Sequence, residues 1–268
     1  MHIAVLAKQV LDPDGVNSYA LWGRLAVDAS GRSFTVGDVV PQIINAYDEQ
    51  AMEAAMRLRD AGVDCRITAI SCGTDAAAEV LKRLVATGAD ASILVRDPNV
   101  QAANGFRTAA LIAAVIRKLG DVDLVLCGRQ GSDYDQGTVP GVLAELLDAA
   151  LVTIAGEVRA GNGTVEVGRM TAAGQEVVEA TLPAVVSVSN EIGQARYPTS
   201  RGMMEARRKK PTIYESADLL PQAAGGVEVT RISVPAVQGH CEIISGDSPA
   251  AKVAVLLGKL AASGVFGG

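Results

Sequence analysis

Apolar positions recur with two periods along the first 150 residues. Short β-branched runs alternate with longer stretches whose apolar residues return every three or four positions. IAVLAK (3–8) is the first strand-like run. NAYDEQAMEAAMRLRDAG (45–62) predicts a helix: Ala51, Ala54, Ala55, Met56 and Leu58 share one face, and Gly62 suits the stop. CRITAISCG (65–73) predicts a strand ending in small residues. TDAAAEVLKRLVATGA (74–89) predicts a helix with Thr74 as N-cap, acids early and Gly88 near its end. ASILVRD (91–97) reads as strand, NGFRTAALIAAVIRKLG (104–120) as helix, VDLVLCG (122–128) as strand and GVLAELLDAA (141–150) as helix.

Strict alternation with short connections predicts an α/β fold, a Rossmann-like doubly wound, mostly parallel sheet. Parallel neighbours require crossover helices, so helices must cover both faces. Such sheets take ligands at the carboxyl ends of their strands, beside the switch in strand order. In this chain those ends carry Lys8, Ser71–Cys72–Gly73 and the polar stretch GRQGSDYDQG (128–137).

After residue 150 the pattern alternates apolar with polar around glycine-rich turns, predicting antiparallel hairpins or an edge extension over about 151–190. Gly161, Gly163 and Gly168 form a loose glycine motif without a strand–GxGxxG–helix context, so a turn is expected there. RYPTSRGMMEARRKKP (196–211) combines a proline-containing loop, a methionine pair and the basic run Arg207, Arg208, Lys209 and Lys210; such a run suits a solvated helix face. Residues 212–245 read as too polar and irregular for a core of their own, and an amphipathic helix is predicted from about Ser248 to Ala262. The expected organisation is a nucleotide-binding domain over 1–195, a loop and basic helix over 196–211, and a C-terminal arm with its helix over 212–268.

Composition narrows the function. The chain has 268 residues, 49% hydrophobic but only 3% aromatic, which suits aliphatic helices on a parallel sheet better than an aromatic-rich sandwich. A net charge of -6 argues against a nucleic-acid face. No run reaches the ~20 apolar residues a bilayer requires, and the amino-terminal strand lacks the layout of a leader, so a cytoplasmic protein without membrane insertion is expected. Four cysteines lack zinc or CxxC spacing and read as reduced thiols in or near the core. Two histidines, His2 and His240, do not suit a triad or metal site.

The rim offers backbone N–H groups from a glycine-rich loop that meets a helix beginning near Gly137–Thr138, an arrangement suited to a phosphate. Small residues at 71–73 would admit a flat ring, and Asn45 is a candidate to hydrogen-bond an adenine edge or a ribose. Asp133 and Asp135 read either as an acid/base pair or as turn and hydroxyl-binding residues. No Walker lysine, nucleophile elbow or HExxH motif occurs.

Six stretches carry a resemblance in order along the chain: VLAKQVLDP, NAYDEQAMEAAMRL, ITAISCG, VDLVLCGRQGSDYDQG, TLPAVVSVSNEIGQARYPTSRGMMEARRKK and IISGDSPAAKVAVLLGKL. Together they resemble the β subunit of electron transfer flavoproteins, a FixA-like family. The resemblance implies a heterodimer with an α subunit that carries the redox FAD, shared with the β chain. It implies AMP in the β pocket or, in electron-bifurcating members, a second FAD that accepts hydride from NADH. By position the pocket would include Leu6, Asn45, Ala46, Tyr47, Asp48 and Cys72. It would continue through the loop Gly128, Arg129, Gln130, Gly131, Ser132, Asp133, Tyr134, Asp135, Gln136, Gly137, Thr138 and Val139. Tyr197, Ser200, Arg201, Met203 and Met204 would form a recognition segment, 196–204, that docks a dehydrogenase, and the C-terminal arm would embrace the α subunit. The resemblance implies an electron carrier without catalytic residues of its own; NADH oxidation would follow only from a second FAD. The rival reading is a stand-alone adenine-nucleotide module, such as a hydrolase or sensor, since the fold alone does not fix function.

Three departures from the family pattern bear on this reading. Bifurcating members commonly show a loop like D-G-D-T-A-Q-V-G-P where this chain reads DYDQGTVPG; Tyr134 stands where a small residue is usual, placed to fill flavin space or to stack on the ligand. Ser200 and Arg201 replace the leucine and proline of members that dock acyl-CoA dehydrogenases, which suits a different partner. Ala172–Ala173 replaces an acidic residue and glycine ahead of LPAVV, read as drift in a hairpin turn.

Overall fold

The computed structural model describes residues 1–14, 26–35, 40–98, 104–220, 227, 229–233 and 241–265. They form two compact units, Met1–Ile232 and Ser233–Gly268.

The first unit is built on a nine-stranded sheet. Its strands in chain order are β1 (His2–Leu6), β6 (Arg66–Gly73), β7 (Ala91–Arg96), β8 (Leu124–Gly128), β9 (Ala150–Gly161), β10 (Thr164–Thr171), β11 (Gly174–Thr181), β12 (Ala184–Val188) and β13 (Thr212–Glu215). Four short strands form two separate two-stranded ribbons: β2 (Gln9–Leu11) with β5 (Gln42–Ile44), and β3 (Ala26–Val27) with β4 (Phe34–Thr35). The helices are α1 (Ala46–Asp60), α2 (Ala78–Thr87), α3 (Gly105–Leu119), α4 (Thr138–Leu147), α5 (Ser200–Arg208) and α6 (Ser216–Leu219).

The strand order is β11-β10-β9-β12-β8-β1-β6-β7-β13. From β1 the chain builds outward through β6 and β7, all parallel, then returns to lay β8 on the opposite flank of β1. The order therefore reverses between β1 and β8, where a doubly wound sheet opens a crevice. Period-two alternation assigns successive β1 residues to opposite faces. Ile3 and Val5 pack with α1 and α2, while Ala4 and Leu6 pack with α3 and α4. The fully buried Leu81, Leu111 and Leu143 each contribute ~2 kcal/mol of apolar transfer.

Most predicted elements stand within a few residues of the expected ends, and four details differ. Thr74 makes no side-chain cap; it precedes a 3-10 turn, Asp75–Ala77, and α2 begins only at Ala78. The helix expected at 141–150 runs Thr138–Leu147, with Pro140 in its first turn, where a missing N–H costs nothing. The hairpin reading holds for β9–β11, which are antiparallel, but β12 is a buried parallel strand between β8 and β9. The stretch after 211 does not leave the sheet at once: β13 pairs in parallel with β7. Of the loose glycine motif, Gly163 falls in the expected turn beside Asn162, Gly161 ends β9, and Gly168 lies within β10, paired with Glu157.

In the second unit, α7 (Pro249–Ala262) starts at Ser248, whose hydroxyl accepts the Ala251 N–H at 3.2 Å. No residue of α7 is buried, and Val253, Val255, Leu256 and Leu257 stand about half exposed. No helix among the described residues is long and apolar enough to cross a membrane.

Candidate functional site

A cavity opens at the carboxyl ends of β1, β6 and β8. Its floor is Leu6, Cys72 and Cys127 from those strands, with Thr108 and Ile112 from α3. Burial pushes the Cys72 thiol up to about 12 and Cys127 higher still. Both therefore stay protonated at neutral pH and serve as small, soft packing groups rather than nucleophiles. Of the small residues at 71–73, only Cys72 lines the cavity. Ser71 points to the opposite face by strand alternation, and Gly73 leaves room for Ala77, whose Cβ would stand 3.0 Å from an added Cβ. The expectation that all four cysteines lie in or near the core fails at Cys241, which is exposed in the second unit.

Asp48, in the first turn of α1, joins the two strand ends that flank the crevice. Its carboxylate accepts the Lys8 N–H at 2.7 Å and the Gly128 N–H at 2.9 Å, and only 5% of the residue is exposed. Burial raises its pKa to about 7 from the usual 3.8, against the pull of both amides, Asn45 and the Lys8 charge. The sign of the linkage follows. Below the unfolded value the group is neutral in both states; between 3.8 and about 7 the folded chain holds a proton that the unfolded chain releases. The Asp48 contribution to stability is therefore full in acid, falls as pH rises through that window, and is flat above it. Asp48→Asn is neutral throughout and carries a constant cost where its NH₂ meets one amide. The variant is expected to gain on wild type between about pH 4 and about pH 7, by on the order of 1 kcal/mol per unit of pKa shift, and to hold a constant difference above that window. Denaturant midpoints across that range check this; a constant difference within the window would assign the titration to another group.

Asn45 is 1% exposed, and its amide is committed to the loop. Nδ2 donates to the Gln130 carbonyl at 2.9 Å, and Oδ1 accepts the Ser132 N–H at 3.2 Å. It therefore positions the cradle instead of offering its amide to an adenine or ribose. Asp133 and Asp135 do not face one another as an acid/base couple. Asp133 pairs with Lys8 Nζ at 2.7 Å, and Asp135 accepts from Gln130 Nε2 at 2.8 Å while its backbone takes φ 50°. Gly131 answers to this geometry: an added Cβ would lie 2.7 Å from the Asp133 carboxylate and 3.1 Å from Lys8 Nζ. Tyr134 lines the mouth, 41% exposed, its ring 5.7 Å from Lys8 Nζ. Burial, then the Asp133 charge, raises its pKa.

Two helix N-termini meet at this cavity. At α3, Asn104 Oδ1 accepts the Arg107 N–H at 3.1 Å, so a side chain already serves that end. At α4 the N-cap is Gly137, with φ 60° and no side-chain cap. The first-turn amides of α4 thus point their partial positive charge at the opening without a side-chain acceptor. The two ends are close: a Cβ on Gly105 would stand 3.2 Å from Thr138 Cβ.

Among the expected pocket residues, Leu6, Asn45, Asp48, Cys72, Gly128, Gln130, Gly131, Asp133, Tyr134, Gln136, Gly137, Thr138 and Val139 line the cavity. Ala46, Tyr47, Arg129, Ser132 and Asp135 do not. Two of them brace the loop from outside: Arg129 stacks on Tyr47 at 5.4 Å and donates to Ser189 Oγ at 3.3 Å. Sequence reasoning placed Lys8 on the rim but not in the pocket, and missed Ala7, Gly105, Thr108, Ile112, Cys127 and Pro140. The available signal was the start of α3, which a doubly wound sheet carries to the same rim as the strand ends.

The five residues expected to form a recognition segment do not line the cavity and lie on one exposed stretch. Tyr197 is 74% exposed beside Arg83, Met203 and Met204 are about half exposed, and Ser200 and Arg201 are exposed. Thr199 caps α5 by accepting the Gly202 N–H at 3.0 Å. The basic run is exposed as expected, but α5 is not wholly solvated: Ala206 is buried against the core that includes α2.

Residues 34–219 match the electron transfer flavoprotein domain. The chain is 31% identical over 266 residues to caffeyl-CoA reductase-Etf complex subunit CarD of Acetobacterium woodii, across 97% of this chain and 98% of that one. It is 33% identical over 254 residues to electron transfer flavoprotein subunit beta of Thermoanaerobacterium thermosaccharolyticum, covering 92% and 93%. To the Mus musculus protein of the same description it is 32% identical over 236 residues, 87% of each.

Proposed function

The chain belongs to the electron transfer flavoprotein β-subunit family, and from that premise we propose that it pairs with an α subunit, binds AMP in the strand-end cavity, helps hold the α-subunit FAD and passes electrons between a dehydrogenase and an acceptor. The observation that carries the AMP reading is the α4 N-terminus, without a side-chain cap, behind a glycine-rich loop fastened by Asp48 and Asn45. A phosphate satisfies such amides with little reorganisation. The floor of Leu6, Ile112 and two protonated thiols suits the face of a base. The FAD supplies the one- and two-electron chemistry when bound. The residues of this chain orient the nucleotide, keep water from its base and hold the loop at a fixed distance from α4. Lys8 and Asp133 neutralise one another at the mouth, which leaves the phosphate to the backbone dipoles.

Tyr134 favours AMP over a second FAD, because its ring stands at the cavity mouth beside Lys8. The exposed segment 196–204 is the proposed dock for a dehydrogenase, and similarity to a subunit named for a caffeyl-CoA reductase-Etf complex supports an oxidoreductase partner there. The apolar residues of α7, half exposed in their own unit, suit contact with the α subunit. A cytoplasmic location accords with this assignment. The test is to purify the chain with its co-expressed α subunit, denature the complex and count what is released. One FAD and one AMP per heterodimer is the expected result. Two FAD and no AMP would replace this reading with an NADH-oxidising second flavin. A monomer that turns over ATP without flavin would sink it in favour of a stand-alone nucleotide module.

A further inference from the structure

Glu53 lies on α1, and nothing in the nucleotide cavity touches it. Its side chain is 7% exposed, yet it is a carboxylate. Four donors converge on it. Arg196 Nε reaches Oε2 at 2.7 Å, Arg196 Nη2 reaches Oε1 at 3.1 Å, and the Arg196 backbone N–H reaches Oε2 at 3.1 Å. Arg57 Nε adds a fourth bond to Oε1 at 3.0 Å. The Arg196 fork also bonds Asp60 at 2.8 Å, and Arg57 bonds the Ile192 carbonyl at 2.7 Å. Burial would raise the Glu53 pKa, but the arginine bonds outweigh it and hold the carboxyl below its usual range.

Stability alone is a weak reason for such a cluster. Burying an ion pair costs about as much desolvation as attraction returns, and a packed apolar pair commonly serves as well. What a bidentate fork supplies is direction. Direction is needed here, because residues 193–199 belong to no helix or strand. Without a ladder, that stretch has no regular backbone pairing to fix its course. The same carboxylate takes both the Arg196 side chain and its N–H, so it sets backbone and side chain together. The next residue is Tyr197, 74% exposed, and two positions further on Thr199 caps α5.

We propose that Glu53 is the positioning residue of the docking segment: through its fork to Arg196 it fixes the path on which Tyr197 and the start of α5 are presented to the partner protein. This rests on the reading of 196–204 as a dock. Glu53 touches neither nucleotide nor partner, so it acts only through Arg196.

The experiment uses the intact heterodimer with Glu53→Gln, which keeps shape and removes charge. Arg196→Lys is the second variant; it keeps charge and loses the fork at a side chain 33% exposed, where folding tolerates the change. Hydrogen exchange is followed peptide by peptide, with nucleotide content measured alongside. The amides of 194–201 are expected to exchange about tenfold faster in both variants, with α1 protection and released AMP and FAD unchanged. With a flavin dehydrogenase shown to reduce the wild-type heterodimer, KM for that protein is expected to rise about tenfold at unchanged kcat. Unchanged exchange at 194–201 overturns the proposal, and so does exchange that rises equally across α1, which would make Glu53 a general structural residue. Tyr197→Ala separates the underlying reading. If it leaves KM for the dehydrogenase unchanged while the Glu53→Gln segment has loosened, the dock lies elsewhere and Glu53 orders a segment with another use. If Tyr197→Ala raises KM and Glu53→Gln does not, the dock stands and the positioning role falls.

Discussion

Gly128→Ala is expected to abolish nucleotide retention while leaving the sheet folded. The glycine ends β8 where Asp48 bonds its N–H. An added Cβ would lie 2.4 Å from the Asp48 carboxylate, 2.7 Å from Tyr47 Cβ and 3.0 Å from the Tyr47 backbone carbon. All three atoms belong to the first turn of α1, a helix packed into the core through Ala51, Ala54, Ala55 and Leu58. The helix cannot retreat without opening the core, so the loop must move instead. Overpacking of this kind costs about 1–3 kcal/mol. Displacing a charge-assisted bond from the buried carboxylate adds about 1.5–3 kcal/mol. Both costs fall where the cradle is fastened, so AMP released per heterodimer is expected to drop more than about tenfold. Gly161→Ala is the control: nothing lies within 4 Å of its added Cβ, and its nucleotide content should match wild type. A Gly128→Ala complex that retains a full complement of AMP would show that the Asp48 fastening is not required for binding.

The parts of this fold that rest on local period could be read from the sequence, and the parts that rest on long-range pairing could not. Alternation placed β1, β6, β7 and β8 because each is a short apolar run between helices with caps or glycine stops. β12 escaped for a physical reason: Ala184–Val188 is buried on both faces and carries the same residue types as a hairpin strand, so only its pairing with β8 separates the two readings. β13 escaped because four residues, Thr212–Glu215, are too few to show a period. At the site, the glycine loop and the start of α4 could be read because glycines between a strand and a helix have a local signature. The roles of Asn45 and Asp48 could not. Their side chains look like ligand contacts in sequence, and they become fasteners only when β1 and β8 are neighbours. Ser71 was legible in principle, since strand alternation turns it away from the face that holds Leu6 and Cys72.

Gly202→Ala sets local propensity against tertiary contact, and contact is expected to win. Inside an exposed helix, exchanging glycine for alanine stabilises by roughly 1 kcal/mol. In α5 the added Cβ would sit 2.0 Å from the Ala86 carbonyl oxygen and 3.0 Å from its carbon. Both are backbone atoms near the end of α2, and α2 is locked beneath by Val80, Leu81, Leu84 and Val85. No side chain can rotate away to absorb the clash, so α5 itself must lift. Lifting exposes Ala206, now 5% exposed, and removes the anchor that follows the proposed docking segment. The Thr199 cap bonds the Gly202 N–H, so it is strained at the same point. Hydrogen exchange over 200–208 is expected to rise about tenfold or more. Electron transfer to a protein partner should weaken with it, and released AMP and FAD should stay at wild-type amounts because the cavity lies on other elements. The pattern differs from that expected of Glu53→Gln, which loosens 194–201 and leaves the rest of α5 seated. If Gly202→Ala instead protects 200–208 more strongly than wild type, propensity has won, and the close approach of α5 to Ala86 does not hold the docking segment.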